Sequence, residues 1–480
     1  MLFYLQGTQL KCKIAPTLLL EETMAAFIPP YPKRHKKEIN PFQALYYARN
    51  DLLSIWDEAA FSDEFSSQKI LKQHVFVANS PDIIRYVFVE NKDNYERKSP
   101  QMRRALEPLL GDGLFISDGD TWASRRKIQT PLFDHSHIKI FSKIMASTIT
   151  EMAAEWTTHG DGAELNIHTE MGKLAAEIIA RTLFGEKLGA ENSTAVVEAF
   201  ADYQSVVKQM ALSNFLGLPD WLPNVNAKIG KARRAAKTIH NAVDAIIAKA
   251  EEGGGQEGTM VTELLKANRS EAGGVDTMTK KQIRNEIIVL FMAGHETTAN
   301  VLSWTWYLIS QSPDVEKKLH DELAEVLGDR TPGMEDIEKL VYTRAILDET
   351  MRLYPPVPIL SRQALKEDTI RGKKVPAGSL MLIVPWLIQR HKKFWKDPDA
   401  FIPERFLPGA EKPIKFTYIP FSAGPRVCIG KSFGITESVL AVAILAQRFK
   451  LSLAPDTKVT HECRLTLRPK GSLPMTMKIR

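Results

Sequence analysis

Hydrophobic residues recur with helical spacing over most of the chain and alternate with polar residues only in short stretches. The spacing is helical over much of residues 136–250 and strongly helical over residues 279–351. A strand-like run at His74–Ala78 lies between loops, and the chain after Pro355 is rich in loops and strands. A last helical pattern covers residues 430–448. The pattern therefore predicts a mainly α fold with a minor β region (α+β).

The longest predicted helix begins after Thr279. Thr279 and Gln282 have the spacing of a capping box, in which each side chain bonds the backbone N–H of the other residue. The helical pattern continues to about Ser310, which predicts a length of about 48 Å at 1.5 Å per residue. Its most apolar run, Ile287–Ala293, is too short to span a membrane.

The first 20 residues are apolar at first glance, but polar residues such as Lys11 and Lys13 interrupt them. A membrane span needs about 20 mostly apolar residues. The segment also lacks the layout of a secretory signal. We therefore expect a soluble, cytoplasmic protein without a membrane span. Residues 1–26 are expected to be an N-terminal extension, either disordered or read from a wrong start.

Composition excludes several classes of protein. A content of 44% hydrophobic and 25% charged residues is typical of a globular chain and excludes a disordered or collagen-like one. A net charge of +6 over 480 residues gives no indication of nucleic-acid binding. The chain has only three cysteines, Cys12, Cys428 and Cys463, so it is not a disulfide scaffold. The composition leaves open whether one of these cysteines carries chemistry.

Cys428 lies among residues that favour metal ligation. A cysteine thiolate binds metals, and nearby N–H groups, positive charge and a helix N-terminus favour it by lowering the thiol pKa. Gly424 and Gly430 permit backbone geometry and close contacts that a Cβ atom would block. Arg426 can pair with an acidic group of a cofactor. A buried structural cysteine is the simpler alternative.

The spacing F-x-x-G-x-R-x-C-x-G resembles the haem-thiolate signature of the cytochrome P450 family. All five fixed positions match, namely Phe421, Gly424, Arg426, Cys428 and Gly430. The resemblance implies a haem b cofactor, with Cys428 as the axial ligand of its iron and the other four residues around the cofactor. It also implies the cytochrome P450 fold, in which a long central helix lies over the haem and the cysteine loop lies beneath it.

The family's central helix carries the motif A-G-x-[DE]-T, and this chain has AGHETT from Ala293 onward. Ala293, Glu296 and Thr297 fall on one helix face. The resemblance implies that Ala293 contacts the cofactor, that Glu296 supplies protons and that Thr297 orients water on the distal side. A zinc motif H-E-x-x-H is excluded because the second histidine would stand where Ala299 is.

Two further segments resemble the family's paired structural motifs. Glu349 and Arg352 match the ExxR motif and lie three residues apart on one helix face. Arg405 belongs to a PERF segment, whose arginine joins the ExxR pair in the family. A buried charge triad fixes geometry more than it adds stability. The resemblance therefore implies a structural brace for the cysteine loop.

A buried haem has two propionates that need cationic or hydrogen-bonding partners. Trp122 and Arg126 resemble the W-x-x-x-R helix beneath the haem. Arg362 follows the strand-like run Val357–Leu360, where the family usually places a further arginine. The resemblance thus implies that these three residues and Arg426 hold the propionates.

The substrate is less clear from the sequence. By resemblance the pocket wall includes apolar side chains, so we expect a hydrophobic small molecule such as a fatty acid, terpenoid or steroid. Apolar residues at helical spacing more often belong to a core. The candidates for the wall are Phe215, Leu216, Val289, Phe291 and Ile359.

The expected activity is insertion of one atom of dioxygen into this substrate by hydroxylation or epoxidation. No flavin or reductase module follows residue 480, so electrons are expected from a ferredoxin or flavodoxin with its reductase, and indirectly from NAD(P)H. A cluster of Arg125, Arg126, Lys127 and Lys431 suggests a basic docking face, although a solvated charge cluster is an equal alternative.

Two rival interpretations of the haem site stay open, and a dinucleotide site elsewhere in the chain is not favoured. A thiolate-haem peroxygenase or isomerase and a non-catalytic haem sensor remain alternatives to a monooxygenase. The motif G-x-G-x-x-G at residues 253–258 follows a helical pattern and not a strand, so a connector is preferred to a dinucleotide site. Because the matches run from Trp122 to Gly430, we expect residues 27–480 to form a single haem domain, which is expected to be a monomer.

Overall fold

The protein was analysed as a computed structural model, which describes residues 26–37, 39–70, 73–185, 203, 223–254, 257–270, 278–463 and 465–480. The helices are α1 Pro41–Asn50, α2 Pro81–Arg85, α3 Pro100–Leu110, α4 Gly119–Gln129, α5 His135–Thr158, α6 Ile167–Phe184, α7 Pro223–Lys249, α8 Met260–Ser270, α9 Lys280–Ser310, α10 Pro313–Val326, α11 Val341–Leu353, α12 Pro385–Ile388 and α13 Lys431–Arg448. The strands are β1 Phe65–Ile70, β2 Gln73–Ala78, β3 Glu164–Asn166, β4 Leu360–Gln363, β5 Asp368–Ile370, β6 Lys373–Val375, β7 Leu380–Ile383, β8 Phe449–Leu453, β9 His461–Cys463, β10 Leu467–Pro469 and β11 Pro474–Ile479.

Helix α9 is the 31-residue central helix that the sequence predicts. Its capping box is present: the Gln282 N–H donates to Thr279 Oγ1 over 3.3 Å, and the Thr279 N–H donates to Gln282 Oε1 over 2.9 Å. The helix packs most extensively against α6. A Cβ atom at Gly294 would lie 2.9 Å from Ile179 Cδ1, so the glycine permits this close helix contact.

Helix α13 begins after Gly430, which is its N-cap, and it packs mainly against α5. Its middle is apolar on all sides, and Ala441, Val442 and Ala443 are fully buried. A helix that is hydrophobic all round belongs in the centre of a large core. The predicted last helix is therefore confirmed, and its start places the preceding cysteine loop at the edge of this core.

The β region consists of small sheets. In the largest sheet the strand order is β1-β2-β7-β4; β2 and β7 are parallel, and the other two pairs are antiparallel. Further sheets have the orders β3-β11-β8, β10-β9 and β5-β6. Strand β2 confirms the predicted run at His74–Ala78. The mainly α architecture with a minor β region is confirmed.

One strand lies later than the sequence suggested. The strand-like run Val357–Leu360 is mostly not a strand, since β4 covers Leu360–Gln363. Pro356 and Pro358 explain the difference, because proline has no N–H to donate to a ladder. Arg362 therefore lies within the strand, paired with Met381 of β7, and does not follow it.

The main buried hydrophobic cluster includes residues from Leu53 to Met477. The boundary predicted at residues 26 and 27 stays a prediction, because residues 1–25 lie outside the described part of the chain. Among the described helices, none is both long enough and apolar enough to cross a lipid bilayer.

Candidate functional site

The cysteine loop, residues 420–430, is held by its own backbone. The Cys428 N–H donates to the Phe421 carbonyl over 2.9 Å, and the Val427 N–H donates to the Gly424 carbonyl over 3.1 Å. Gly424 has a φ of +70°, and a Cβ atom there would lie 2.1 Å from the Phe88 carbonyl oxygen. Only glycine fits this position without a shift of the backbone.

Gly430 is different, although the sequence suggested the same role for it. Its φ is −84°, which any residue can adopt, and a Cβ atom would meet only Phe133 at 3.7 Å. Gly430 lines the cavity described below and forms the N-cap of α13. Its backbone geometry does not require glycine, so the close-contact argument applies at Gly424 alone.

A large cavity opens between the cysteine loop and the central helix. It contains about 1750 Å³ of space with its open mouth included. Phe421, Arg426, Cys428 and Gly430 form one wall, and Ala293 and Thr297 contribute to the facing wall. The structure thus brings together two segments that are more than 120 residues apart in the sequence.

Cys428 is surrounded by protein, yet its side chain is exposed because it faces the open cavity. Burial raises the pKa of the Cys428 thiol. The Gly430 N–H and the charges of Arg126 and Lys431 act in the opposite direction but do not outweigh burial. The sequence had indicated a lowered pKa. The thiolate therefore needs a further positive charge at the cavity, such as a metal ion, to be the favoured form.

Among the cations that line the cavity, three come from different elements: Lys98, Arg362 of β4 and Arg426 of the cysteine loop. None forms a salt bridge with a carboxylate within the described residues. Burial lowers the pKa of Arg362 to about 9 and that of Arg426 to about 10. Burial, together with the charges of Arg362 and Arg426, holds the pKa of Lys98 well below its usual range. A buried Nη2 atom of Arg426 has no hydrogen-bond partner.

Helix α4 places Trp122 and Arg126 beside the same loop. The Arg426 guanidinium lies over the Trp122 ring, 4.6 Å from its centroid. Arg126 Nη1 donates to the Val427 carbonyl over 2.9 Å, one residue before the cysteine. Both residues line the cavity. The two motifs found in the sequence therefore meet in space and support each other.

On the facing wall, Thr297 donates from Oγ1 to the Ala293 carbonyl over 2.6 Å. The helix is α-helical throughout, so Gly294 and Thr297 do not open it locally. The Thr297 hydroxyl bonds to a carbonyl of its own helix, one turn earlier. Glu296 precedes Thr297 and is partly buried, but it does not line the cavity.

The predicted charge triad is assembled behind the cysteine loop. Arg352 forms a two-point ion pair with Glu349, with Nε–Oε2 and Nη2–Oε1 distances of 2.7 and 2.8 Å. Both side chains are fully buried. Arg405 Nε lies 3.4 Å from Glu349 Oε1. Arg352 also donates to three backbone carbonyls, those of Gln389, Pro398 and Ala400.

Gln389 extends this brace to the loop, and sequence reasoning did not identify it. Its Nε2 donates to the carbonyls of Met351 and Arg352, and its Oε1 accepts from the Ile419 N–H over 3.0 Å. Ile419 immediately precedes the cysteine loop. Gln389 therefore links the triad to the segment that carries Cys428. No local pattern in the sequence indicates this role.

Only one of the five apolar residues predicted for the pocket wall is seen to line the cavity. Val289 lines the cavity. Phe291 is buried in the core, with its ring 5.9 Å from that of His295, and Ile359 packs against the core; neither lines the cavity. Phe215 and Leu216 lie outside the described residues. The cavity wall instead includes Met102, Leu114 and Phe115, which sequence reasoning did not single out.

Lys98 is the most informative residue that the sequence did not reveal. It lies between α2 and α3 in a mainly polar stretch of the chain, and a single lysine is usually a surface charge. Its ammonium group lies 4.6 Å from the centroid of the Phe115 ring and faces the cavity. Only the fold brings it next to Arg362 and Arg426.

Comparison with known proteins decides the family. The family model for cytochrome P450 matches residues 44–474. The chain is a cytochrome P450. Cyclooctatin synthase of Streptomyces melanosporofaciens is 30% identical over 396 residues, which are 82% of this chain and 84% of that protein. Carotene epsilon-monooxygenase of Arabidopsis thaliana is 29% identical over 429 residues, 84% of this chain and 77% of that protein.

A solved structure, the cytochrome P450DA heme domain, superposes with a TM-score of 0.81 at 22% identity and covers 94% of this chain and 98% of that one. This likeness confirms the cytochrome P450 fold. The family and its relatives establish a haem-thiolate monooxygenase, an oxidoreductase that incorporates oxygen. The resemblance on which the sequence prediction depended is therefore confirmed.

Proposed function

We propose that Cys428 is the axial ligand of a haem b iron in the cavity, and that the protein uses this cofactor to oxygenate a hydrophobic small molecule. The observation that carries the proposal is a set of three cations, buried Arg362 and partly buried Lys98 and Arg426, which face the cavity without carboxylate partners among the described residues. Unpaired buried charges are costly. A ligand with carboxylates removes this cost.

Haem b fits these residues in charge and in shape. Its two propionates suit the three cations, with Trp122 and Arg126 as further hydrogen-bond donors at the same wall. Its flat apolar body suits the walls formed by Ala293, Phe421 and their neighbours. When bound, the haem supplies dioxygen reduction and oxygen transfer. The chain supplies the thiolate, the propionate partners and a cavity that excludes water.

We assign proton delivery to Glu296 and Thr297. The Thr297 hydroxyl faces the cavity and now donates to the Ala293 carbonyl. A rotation of this hydroxyl releases the bond and lets Thr297 pass a proton to a water molecule in the cavity. Glu296, next in the chain, can resupply that proton through water. Thr297 thus lines the space where dioxygen would be reduced, and Glu296, which does not line the cavity, would reach it only through water.

The substrate is proposed to be an uncharged apolar molecule. The side chains on the side of the central helix include Met102, Leu114, Phe115, Ile179 and Val289, which offer neither charge nor hydrogen-bonding groups. Lys98 lies over the Phe115 ring at the border of this apolar region. In this scheme Lys98, Arg362 and Arg426 are occupied by the propionates. One relative is named for carotene, a substrate of the same chemical kind.

Electrons are proposed to come from NAD(P)H through a reductase and a ferredoxin or flavodoxin. The basic docking face inferred from the sequence must be corrected. Arg125 is 5% exposed and pairs with Glu286, so it cannot contact a partner. Lys127 and Lys431 are exposed and remain candidates. If they attract an acidic partner, reduction by that partner slows as ionic strength rises.

The experiment compares T297A with T305A in the reconstituted, haem-loaded protein. Thr305 lies on the same helix and makes the same kind of bond, to the Val301 carbonyl over 2.8 Å, but it does not line the cavity. Substrates are found by screening a library for haem absorbance shifts. T297A is expected to divert most electrons to hydrogen peroxide, and T305A to keep the wild-type yield of product per electron.

Equal product yield in both variants would contradict the role of Thr297. Turnover supported by peroxide alone, with none from dioxygen and the electron donors, would indicate a peroxygenase. Conversion of substrate without any oxidant would indicate an isomerase. Haem reduction and ligand binding without any product would indicate a sensor.

A further inference from the structure

A second buried charge pair joins α4 to the central helix. Glu286 of the central helix is fully buried, and Arg125 of α4 is 5% exposed. Arg125 Nε lies 3.3 Å from Glu286 Oε1. Gln129, one turn further along α4, donates from Nε2 to Glu286 Oε2 over 2.8 Å. Two side chains of α4 thus bind one carboxylate of the central helix.

The same carboxylate also holds the segment before α4. The Leu114 N–H donates to Glu286 Oε2 over 3.0 Å. Two glycines in this segment pack directly on the central helix: a Cβ atom at Gly111 would lie 2.1 Å from Asn285 Nδ2, and one at Gly113 would lie 2.8 Å from Val289 Cγ2. Residues 111–115 therefore follow the position of the central helix closely.

These elements carry both walls of the cavity. Leu114 and Phe115 lie on the substrate side of the cavity. Helix α4 carries Trp122 and Arg126, and Arg126 bonds the carbonyl that precedes Cys428. Glu286 is the point at which the substrate wall, α4 and the central helix are joined.

We propose that Glu286 is a positioning residue: through Arg125, Gln129 and the Leu114 N–H it fixes residues 111–115 and α4 against the central helix and so sets the access to the distal side of the cavity. This inference rests on the proposed function, because it assumes that the cavity binds haem. It adds to that function a residue that touches neither substrate nor cofactor.

Glu286 changes its charge near neutral pH, which an experiment can reach without unfolding the protein. Burial raises its pKa to about 7, against the opposing effect of the Leu114 N–H, Gln129 and Arg125. The charged groups that face it are Arg125 on α4 and Asp112 on the preceding segment. The pKa of Asp112 is lowered, chiefly by its hydrogen bond from Gln282 and by Arg125 against the effect of burial, so this carboxylate stays ionised.

The direction of the pH effect follows from the pairing. Below pH 7 Glu286 takes up a proton, and Arg125 keeps only Asp112, whose Oδ2 lies 3.5 Å from its Nη2. The link between α4 and the central helix is then weaker. Residues 111–115 are expected to open more often at pH 6 than at pH 8 and to admit small ligands faster.

The experiment compares E286Q with D244N in the haem-loaded protein. Asp244 forms an ion pair with Arg284 of the central helix over 2.7 Å; Asp244 is half exposed, and the pair does not touch residues 111–115. The first readout is hydrogen exchange of peptides that cover residues 110–118. The second is the rate of carbon monoxide association with the ferrous protein between pH 6 and pH 8, since carbon monoxide itself does not titrate.

E286Q is expected to lose protection in residues 110–118 and to bind carbon monoxide roughly 3- to 10-fold faster, with no pH step, because such couplings are typically worth a few-fold to tens-fold. D244N and the wild type are expected to show the same slower rate at pH 8 and a step near pH 7. Wild-type exchange in E286Q, or the same pH step in E286Q and wild type, would overturn the proposal.

If E286Q does not fold, the variant Q129M tests the role of Glu286 instead. Loss of the Gln129 hydrogen bond removes one group that favours ionised Glu286, so the pH step is expected to move upward. An unmoved step would count against Glu286 as its source. If the wild type itself lacks the thiolate carbon monoxide band, the proposed function fails, whereas the exchange experiment still decides the role of Glu286.

Discussion

Replacing Gly424 by alanine tests whether the shape of the cysteine loop depends on one close contact. The perturbation has two parts. Gly424 has a φ of +70°, where an L side chain is strained, and its new Cβ atom would lie 2.1 Å from the Phe88 carbonyl oxygen and 3.0 Å from the Phe88 carbonyl carbon. The obstacle is backbone, so it cannot turn aside as a flexible side chain would.

A control variant separates the stability loss caused by backbone strain from the loss caused by the clash with Phe88. Gly471 has a φ of +78° with nothing within 4 Å of the new Cβ atom, so G471A pays only the backbone strain. That strain is about 1–2 kcal/mol. G424A adds an overpacking cost of about 1–3 kcal/mol. We expect G424A to lower the free energy of unfolding by about 2–5 kcal/mol in all.

The assay is urea unfolding of both variants, followed by circular dichroism and by haem absorbance. Because the clash moves the loop that carries Cys428, G424A is also expected to lose haem at lower urea than it loses secondary structure. G471A should lose both together, as the wild type does. Equal destabilisation of the two variants, with haem retained equally, would refute the reasoning about the Phe88 contact.

Three further predictions concern the charges around the cavity. K98M is expected to weaken haem retention about tenfold, since it removes one of the cations at the propionate wall; transfer of haem to apomyoglobin measures this, and K92M, at an exposed lysine, is the control. E349Q leaves Arg352 buried without its ion pair and should cost about 3–5 kcal/mol of stability in urea unfolding, so a cost below about 1 kcal/mol would contradict the brace. Burial holds the pKa of Glu437 well above its usual range, so the wild type should lose stability as the pH rises above the ordinary glutamate pKa towards the folded one, because the folded state holds the proton longer. E437Q should flatten this part of the stability profile, and an unchanged slope between pH 5 and 8 would show that another group is responsible.

Much of the fold and site could be predicted because their signals are local. The capping box of Thr279 and Gln282 and the apolar pattern that follows fix the central helix. The cysteine motif, Phe421–Gly430, is a run of ten residues whose spacing alone identifies the family. The ExxR pair lies within one helix turn, so its ion pair depends only on helix geometry.

The rest depends on contacts between distant segments. Lys98, Gln389 and Glu286 act through partners that are far away in the sequence, and no pattern around these three residues indicates those partners. Lys98 and Arg426, for example, are 328 residues apart. Arg125 and Arg126 are adjacent in sequence, yet one is buried beside Glu286 and the other faces the cavity. Which side of a polar helix is buried is decided by the elements that pack on it.

The shift of strand β4 has a local cause that the apolar pattern masked. Val357 and Ile359 alternate with prolines, and their apolar character suggested a strand. Proline cannot donate to a ladder, so the ladder begins only at Leu360, once the prolines are past. When the start of a strand is predicted in such a run, the proline positions should therefore count for more than the apolar pattern.

The assignment of Cys428 as the haem ligand is tested most directly by the absorbance of the ferrous protein with carbon monoxide. Cys428 faces the cavity, whereas Cys463 is 3% exposed in β9, away from it. The wild type and C463S are expected to show the red-shifted band of a thiolate-ligated haem, and C428S is expected to lose it while still binding haem. A normal red-shifted band in C428S would contradict the account.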